Sequence, residues 1–464
     1  MIRRLFSSQL RINMVSGVAV TLVNVSVMAV AYPIYLHFLG YEQYGVWLVL
    51  TTVLTFAHLG NLGVSQAVTK LVAEEYGRGD MLAIQQYLTT AMVLLCLSGL
   101  LVLVVLVGLR GAIIPAFRLT EDNARTVSWL LPYIGGLSIY VFVTEVLQGT
   151  LSGLGRMDLA NGIHSLGGVL KLAVAGPLLF AGFGIESLLV AAVASRLAMH
   201  VASLVCVRRI VPFRIVRFEN LDARRGKSLL SFGGGVFAGS LVNMLFSPFN
   251  RLILARYVGL ETLPVYEIAH TGSMQVRGLV EAALRALMPE ISRVGANTTV
   301  QAKNRISQIN TRAIKVIVLF GVPVYVSLIV FARPLLSAWL GGRFTDALPD
   351  ILRIMLVGTF FSLLCVPAYY TLMGLGRVRH CFLSHVIQGV VNAGAVGMIV
   401  LSGGAISVRS VALAVVAAMG ATSSYVVWQA RRTMRRFGHG GSEEDSRPRE
   451  GATPVPACSA IAEV

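Results

Sequence analysis

The chain holds 464 residues, 55% of them hydrophobic and 13% charged, with a mean hydropathy of +0.73. Soluble domains carry about 25% charged residues, so this composition excludes an ordinary soluble enzyme and points to a membrane protein with many spans. The net charge of +17 would suit nucleic acid, but the basic residues stand in short loops between apolar runs, where they set membrane orientation, and no nucleic-acid partner is expected.

At the start, Arg3, Arg4 and Arg11 precede an apolar run and Ala29-Val30-Ala31, which imitates a signal peptide. The run continues past Pro33 to Leu39, too long for a signal core, and is expected to be a retained first span. Stretches long enough for a bilayer, about 20 residues each, then follow at 44–69, 83–109, 128–151, 158–181 and 185–207. Six more lie at 228–258, 264–292, 311–332, 350–373, 381–401 and 407–430. Six spans per half make the halves parallel repeats. The repetition is visible in the residues: Thr150 to Arg156, Thr-Leu-Ser-Gly-Leu-Gly-Arg, returns as Thr371 to Arg377, Thr-Leu-Met-Gly-Leu-Gly-Arg. At the same offset of 221 positions (371 − 150), His164 falls on His385 and Gly176 on Gly397. The fold expected is an all-α polytopic membrane protein of about 12 transmembrane helices in two parallel six-helix repeats, or lobes.

The division that follows is an N-lobe at 1–207 with helices 1 to 6, a basic cytoplasmic linker at 208–227, a C-lobe at 228–436 with helices 7 to 12, and a disordered cytoplasmic tail at 437–464. The tail is polar and cannot bury enough apolar surface to fold alone. With the N-terminus placed in the cytoplasm, 23 basic residues fall on the cytoplasmic side and only 7 on the other: Arg110, Arg118, Arg125, Arg256, Arg333, Arg343 and Arg409. Both termini are therefore expected in the cytoplasm of a bacterial inner membrane. The linker, Arg208 to Lys227, reads as a lipid-facing segment and topology signal.

Glycine and proline interrupt several spans, at Pro33, Leu59-Gly-Asn-Leu-Gly63, Gly135-Gly136, Gly233-Gly-Gly235 and Pro248. These sites predict either bends whose freed backbone groups need partners or close helix packing through small residues. Cys96, Cys206, Cys365, Cys381 and Cys458 have no metal or disulfide spacing and read as small packing residues, so neither a metal nor another cofactor is expected.

An ionisable group inside a span costs at least a few kcal/mol, so it faces a cavity or a partner. Arg277, Glu281 and Arg285 are spaced i, i+4, i+8 and form one stripe on the eighth span. They read as the cationic wall of a cavity for an anionic head group, with Glu281 as counter-ion or proton carrier, or as a structural charge pair. Arg251 suits a diphosphate through its planar fork, or snorkels to the outer surface. Lys171 and Arg196 lie at mid-span and either join that cationic cavity or pair with Glu145, the second candidate for coupling or counter-ion. His58, His164, His270 and His385 read as packing residues, and Glu42 and Glu261 as helix caps. No P-loop, HExxH or nucleophile elbow occurs, so no enzyme is expected.

Tyr35-Leu-His-Phe-Leu-Gly-Tyr-Glu-Gln-Tyr-Gly-Val-Trp47, with Leu59 to Ala67, Val258-Gly-Leu-Glu261, Trp339-Leu-Gly-Gly-Arg-Phe344 and the two Gly-Leu-Gly-Arg turns, resembles the polysaccharide-transporter family. That family includes O-antigen flippases and shares a superfamily with multidrug antiporters and lipid II flippases. The resemblance runs from Ile12 to Arg436 and rests on glycine and apolar patterns, which identify a fold better than a cargo. It implies a two-lobed transporter that moves an undecaprenyl-diphosphate-linked oligosaccharide of an O-antigen, capsule or exopolysaccharide to the periplasmic leaflet by alternating access. It further implies a cationic central cavity, for which Arg251, Arg277 and Lys171 are the fitting positions, coupling to protons or sodium, and partners that include membrane lipids and polysaccharide polymerase or assembly proteins. The alternatives on the same sequence are a multidrug or cation antiporter, and a membrane-embedded enzyme or scaffold of polysaccharide assembly. Mid-span arginine and lysine outnumber glutamate, which argues for an anionic cargo.

Overall fold

The computed structural model describes residues 8–211, 218–284, 287, 291, 294–295 and 299–436. The tail at 437–464, residues 212–217 of the loop at 208–227 and Arg285 lie outside them. Among the described residues there are helices and turns but no strand. In chain order these are α1 Ser8–Ala57, α2 Val64–Arg78, α3 Met81–Gly108, α4 Arg110–Ala116, α5 Glu121–Gly153, α6 Met157–Phe180, α7 Glu186–Ile210, α8 Ala223–Tyr257 and α9 Thr262–Leu284. After the undescribed stretch come α10 Val300–Val316, α11 Val322–Val330, α12 Ala332–Leu340, α13 Ala347–Leu364, α14 Val366–Gly374, α15 Val378–Leu401 and α16 Val408–Arg436.

Nine helical stretches among the described residues are long and apolar enough to cross a membrane. The first, Ala19–Asn61, spans 43 residues and carries two passes, because Gly40 (φ 69°, ψ −177°) folds α1 back at its middle. Helices α8 and α9, of 35 and 23 residues, are also long enough and fall outside those nine; they carry Arg251, Glu267, Arg277 and Glu281. Together these elements make a multi-pass membrane protein of about twelve passes.

The repeat is reproduced in the backbone. Gly155 (φ 74°) and Gly376 (φ 72°) take the left-handed conformation that ends α5 and α14. Arg156 N–H donates to Leu151 O at 2.9 Å and Arg377 N–H to Leu372 O at 2.8 Å, the same six-to-one closure. Gly182 (φ 85°) and Gly403 (φ 67°), 221 positions apart (403 − 182), repeat the likeness at the other face.

The helix breaks fall only partly where glycine and proline predicted them. The Leu59 to Gly63 run does interrupt its span: a 3-10 turn at His58–Asn61 is followed by Leu62 (φ 49°) and Gly63 (φ 72°). One freed carbonyl, Gly60 O, accepts the Ser98 hydroxyl at 2.6 Å. Pro33 and Pro248 instead sit inside continuous helices. Gly135 and Gly136 lie in the unbroken α5, where Gly149 and Gly153 bring it against Ser65, Thr69 and Val72 of α2. Small residues there serve packing.

The hydrophobic core has a direction. On the face of the Gly40 and Gly259 turns, one cluster joins both halves, from Tyr35, Tyr44 and Trp47 to Leu260, Tyr266 and Leu336. On the face of Arg156 and Arg377, called here the basic face, the core separates into a first-half cluster around Leu88, Phe142 and Leu147 and second-half clusters around Ile306, Leu363 and Leu372. The halves are therefore sealed together at the end of the Gly40 and Gly259 turns and meet at the basic end mainly through the start of α8, which packs on α2 and α3.

Candidate functional site

Helices α8 and α9 are antiparallel neighbours across the Gly259 turn, and Arg251 and Glu267 each lie eight residues from it, hence at one depth. Arg251 Nη2 donates to Glu267 Oε2 at 2.7 Å and Nε to the same oxygen at 3.1 Å. The side chains are 14% and 11% exposed. Thr271 donates to the other Glu267 oxygen at 3.0 Å, and Arg251 Nη1 reaches Thr52 of α1 at 3.5 Å. Arg251 does not snorkel outward; its donors are directed inward to Glu267 and Thr52. The sequence reading missed Glu267. Its equal distance from the turn was the available signal.

One helical stretch further down α9, Arg277 Nη2 stands 3.2 Å from Glu281 Oε2, as their i, i+4 spacing foretold. This pair is 26% and 27% exposed, so it faces open space. Tyr370 donates to Glu281 Oε1 at 3.4 Å, while Arg277 Nε is buried with no partner among the described residues.

The remaining candidates assemble in the first half. Glu145 on α5 accepts hydrogen bonds from Asn61 Nδ2 and from Ser65 Oγ, the latter at 3.5 Å, both at the break between α1 and α2. Its charge acts on Arg196 of α7 without a direct ion pair, and Arg196 in turn lies close enough to Lys171 of α6 to repel it. Lys171 Nζ lies 5.6 Å from the ring centroid of Trp47. Among the described residues neither Lys171 nor Arg196 has a carboxylate within ion-pair distance. The six candidates thus form three groups, and among the described residues only the first-half group carries uncompensated positive charge.

Of the histidines, His270 stacks on Tyr266 at 5.4 Å and 10°, a packing role. Glu42 accepts from Asn123 Nδ2 at 2.8 Å instead of capping its own helix. No group of residues able to hold a metal ion occurs among the described residues.

Two repeats of apolar helices joined at one face, with charged groups held between the helices, define a multi-pass membrane protein built from two related halves. A family model described as polysaccharide biosynthesis protein matches residues 36–349, and the chain belongs to that family. A protein of Shigella flexneri provisionally named an O-antigen transporter is 19% identical over 349 residues, 75% of this chain and 80% of its own. An inward-facing multidrug transporter of the MATE family superposes with a TM-score of 0.72 at 16% identity, over 94% of this chain and 97% of its own. The lipid II flippase MurJ in an inward closed conformation gives the same TM-score, 0.72, at 13% identity over 92% and 90%.

Proposed function

We propose that the chain is a flippase for a lipid-linked oligosaccharide, carrying an undecaprenyl-diphosphate glycan from the cytoplasmic to the periplasmic leaflet of a bacterial inner membrane. The observation that carries this reading is the charge balance at membrane depth. Among the described candidates, Lys171, Arg196, Arg251 and Arg277 stand against Glu145, Glu267 and Glu281, leaving one positive charge over, and that excess lies on Lys171 and Arg196. A cation without a partner is costly in hydrocarbon, and an anionic cargo is what offsets it. A cavity for cationic drugs would carry the opposite excess.

In this reading the basic face and both chain ends are cytoplasmic, and the lobes divide as 1–207 and 228–436 around the 208–227 linker. Lys171, Arg196 and the accessible Arg277 hold phosphate oxygens, while Arg251 and Glu267 stay paired in the state sealed at the periplasmic end. Glu281 and Glu145 give the cations something to exchange with when the cargo leaves. The glycan itself is read by contacts with its sugars.

The test is a leaflet assay. The gene is deleted, the undecaprenyl-linked glycan is measured, and its accessibility to a periplasmic glycan-modifying enzyme is followed after complementation with wild type, Lys171→Met or Arg196→Met. Accumulation of inaccessible glycan, relieved by wild type and not by the variants, is expected. Normal accessibility in the deletion strain together with raised drug susceptibility would overturn the reading.

A further inference from the structure

The start of α8 is fastened to the first half at the basic face. Arg225 Nε donates to Gln86 Oε1 of α3 at 2.7 Å, its guanidinium lies 4.6 Å from the Tyr87 ring centroid, and Asp222 N–H donates to Thr90 Oγ1 at 3.3 Å. Gly226 is buried against this surface: a Cβ there would meet Thr90 Cγ2 at 3.4 Å. Beside this junction opens a groove of about 810 Å³ between α3 and α8. Its walls are Val93 and Leu94 on one side and Leu221 and Leu230 on the other, and its mouth carries Lys227 and Ser231.

The charges at the mouth are unequal. Asp222, the only carboxylate in the lining among the described residues, is already spent: one oxygen caps the Arg224 N–H at 2.8 Å and the other lies 3.8 Å from Arg225 Nε. Lys227 and Arg224 are exposed and, among the described residues, have no carboxylate within ion-pair distance. The apolar wall continues along α3 through the exposed Leu97 and Leu101, at 60% and 64%, toward the bilayer interior. An apolar slot that runs along a span and ends in free cations at the level of a basic loop has the chemistry of one molecule, a lipid with a negatively charged head group.

We infer that the groove between α3 and the start of α8 binds an anionic glycerophospholipid, acyl chain along Leu94 and Leu230 and head group on Lys227. This site is separate from the charged groups assigned to the cargo. Because its two walls belong to the two halves of the chain, an occupying lipid bridges them and reinforces the junction made by Arg225 and Asp222.

The experiment is native mass spectrometry of the full chain, purified and exchanged into detergent with phosphatidylglycerol or phosphatidylcholine of identical acyl chains. One retained phosphatidylglycerol, favoured about fivefold over phosphatidylcholine, is expected, since one lysine at an anionic surface is worth that much. Lys227→Gln should bring the ratio to unity, and Ser231→Trp should remove the retained copy of either lipid by filling the slot. Both positions are exposed, so neither change disturbs the core. Arg209→Gln, an exposed cation on α7, should behave as wild type. A wild-type ratio of unity, or a preference that survives either groove substitution, would overturn the proposal.

Discussion

Arg251 and Glu267 are joined at 2.7 Å across the α8–α9 hairpin, closed from solvent, and tied to the other half of the chain through Thr52. Arg277 and Glu281, ten and more residues deeper on α9, form a pair of the same composition that stays about a quarter exposed. Burial, more than residue type, separates a pair closed off inside the structure from one that stays accessible. Two charges buried together repay their desolvation only while both are present.

Removing one member of the closed pair should therefore cost more than removing both. Glu267→Ala and Arg251→Ala are each expected to destabilise by about 3–5 kcal/mol, because each leaves a bare charge behind. Arg251→Met with Glu267→Leu should recover most of that loss. Thermal unfolding of the purified chain in detergent checks this; equal losses for the single and double variants would deny the pairing its structural role.

At the open pair the expectation is different in kind. If the cargo's phosphate competes with Glu281 for Arg277, then Glu281→Gln should bind an anionic prenyl-diphosphate several-fold more tightly and release it more slowly. Arg277→Ala should weaken binding about thirtyfold or more, the equivalent of about 2 kcal/mol for a truncated charge contact. Direct binding measurements on both variants, beside transport in cells, separate the two effects. Glu281→Gln binding unchanged would remove Glu281 from the exchange.

The parts legible in the sequence were those written in local rules. Gly155 and Gly376 end their helices identically because only glycine takes that conformation without strain, so a repeated Gly-Leu-Gly-Arg carried a repeated structure with it. The Arg277–Glu281 pair was legible for the same reason, being fixed by helical spacing. Glu267 was not, since its partner sits on another helix and only the hairpin geometry sets them level. The break at His58–Gly63 was foreseen, but that it would deliver Asn61 and Ser65 to Glu145 depends on how α5 packs. Pro33 and Pro248 were overvalued as break points, because tertiary packing keeps a helix continuous through a missing hydrogen bond.

Glycines at the two junctions should be intolerant of a single methyl group. A Cβ at Gly45 would lie 2.8 Å from the Leu260 carbonyl carbon near the seal at the Gly40 and Gly259 turns, and one at Gly233 would lie 2.9 Å from Gly63 near the basic face. Backbone cannot swing aside as a side chain can, so Gly45→Ala and Gly233→Ala should each cost about 1–3 kcal/mol at their own junction. Gly136→Ala, with open space around it, is the silent control. Distances between spin labels placed across each junction should lengthen only for the local variant.

The seal at the Gly40 end contains a device that begins with a proline. Pro33 has no N–H, so the carbonyl four residues earlier, Ala29 O, lacks its helical partner, and the indole of Trp339 on α12 donates to it at 2.7 Å. Beside it Arg343 Nη2 donates to His37 O at 2.8 Å, next to the Gly40 bend, and the Tyr41 hydroxyl returns a hydrogen bond to Arg343 O at 2.8 Å. Trp339→Phe removes the first donor and keeps the ring. It is expected to weaken the seal by about 1 kcal/mol, read as faster labelling of Thr52→Cys by an impermeant maleimide. Pro33→Ala should do the same by a different route, since the restored N–H satisfies Ala29 O within α1 and leaves the indole without an unshared acceptor. Both variants then delete one interaction, so Pro33→Ala with Trp339→Phe should label no faster than either alone. Additive acceleration in the double variant would mean that the proline shapes the helix without supplying the acceptor.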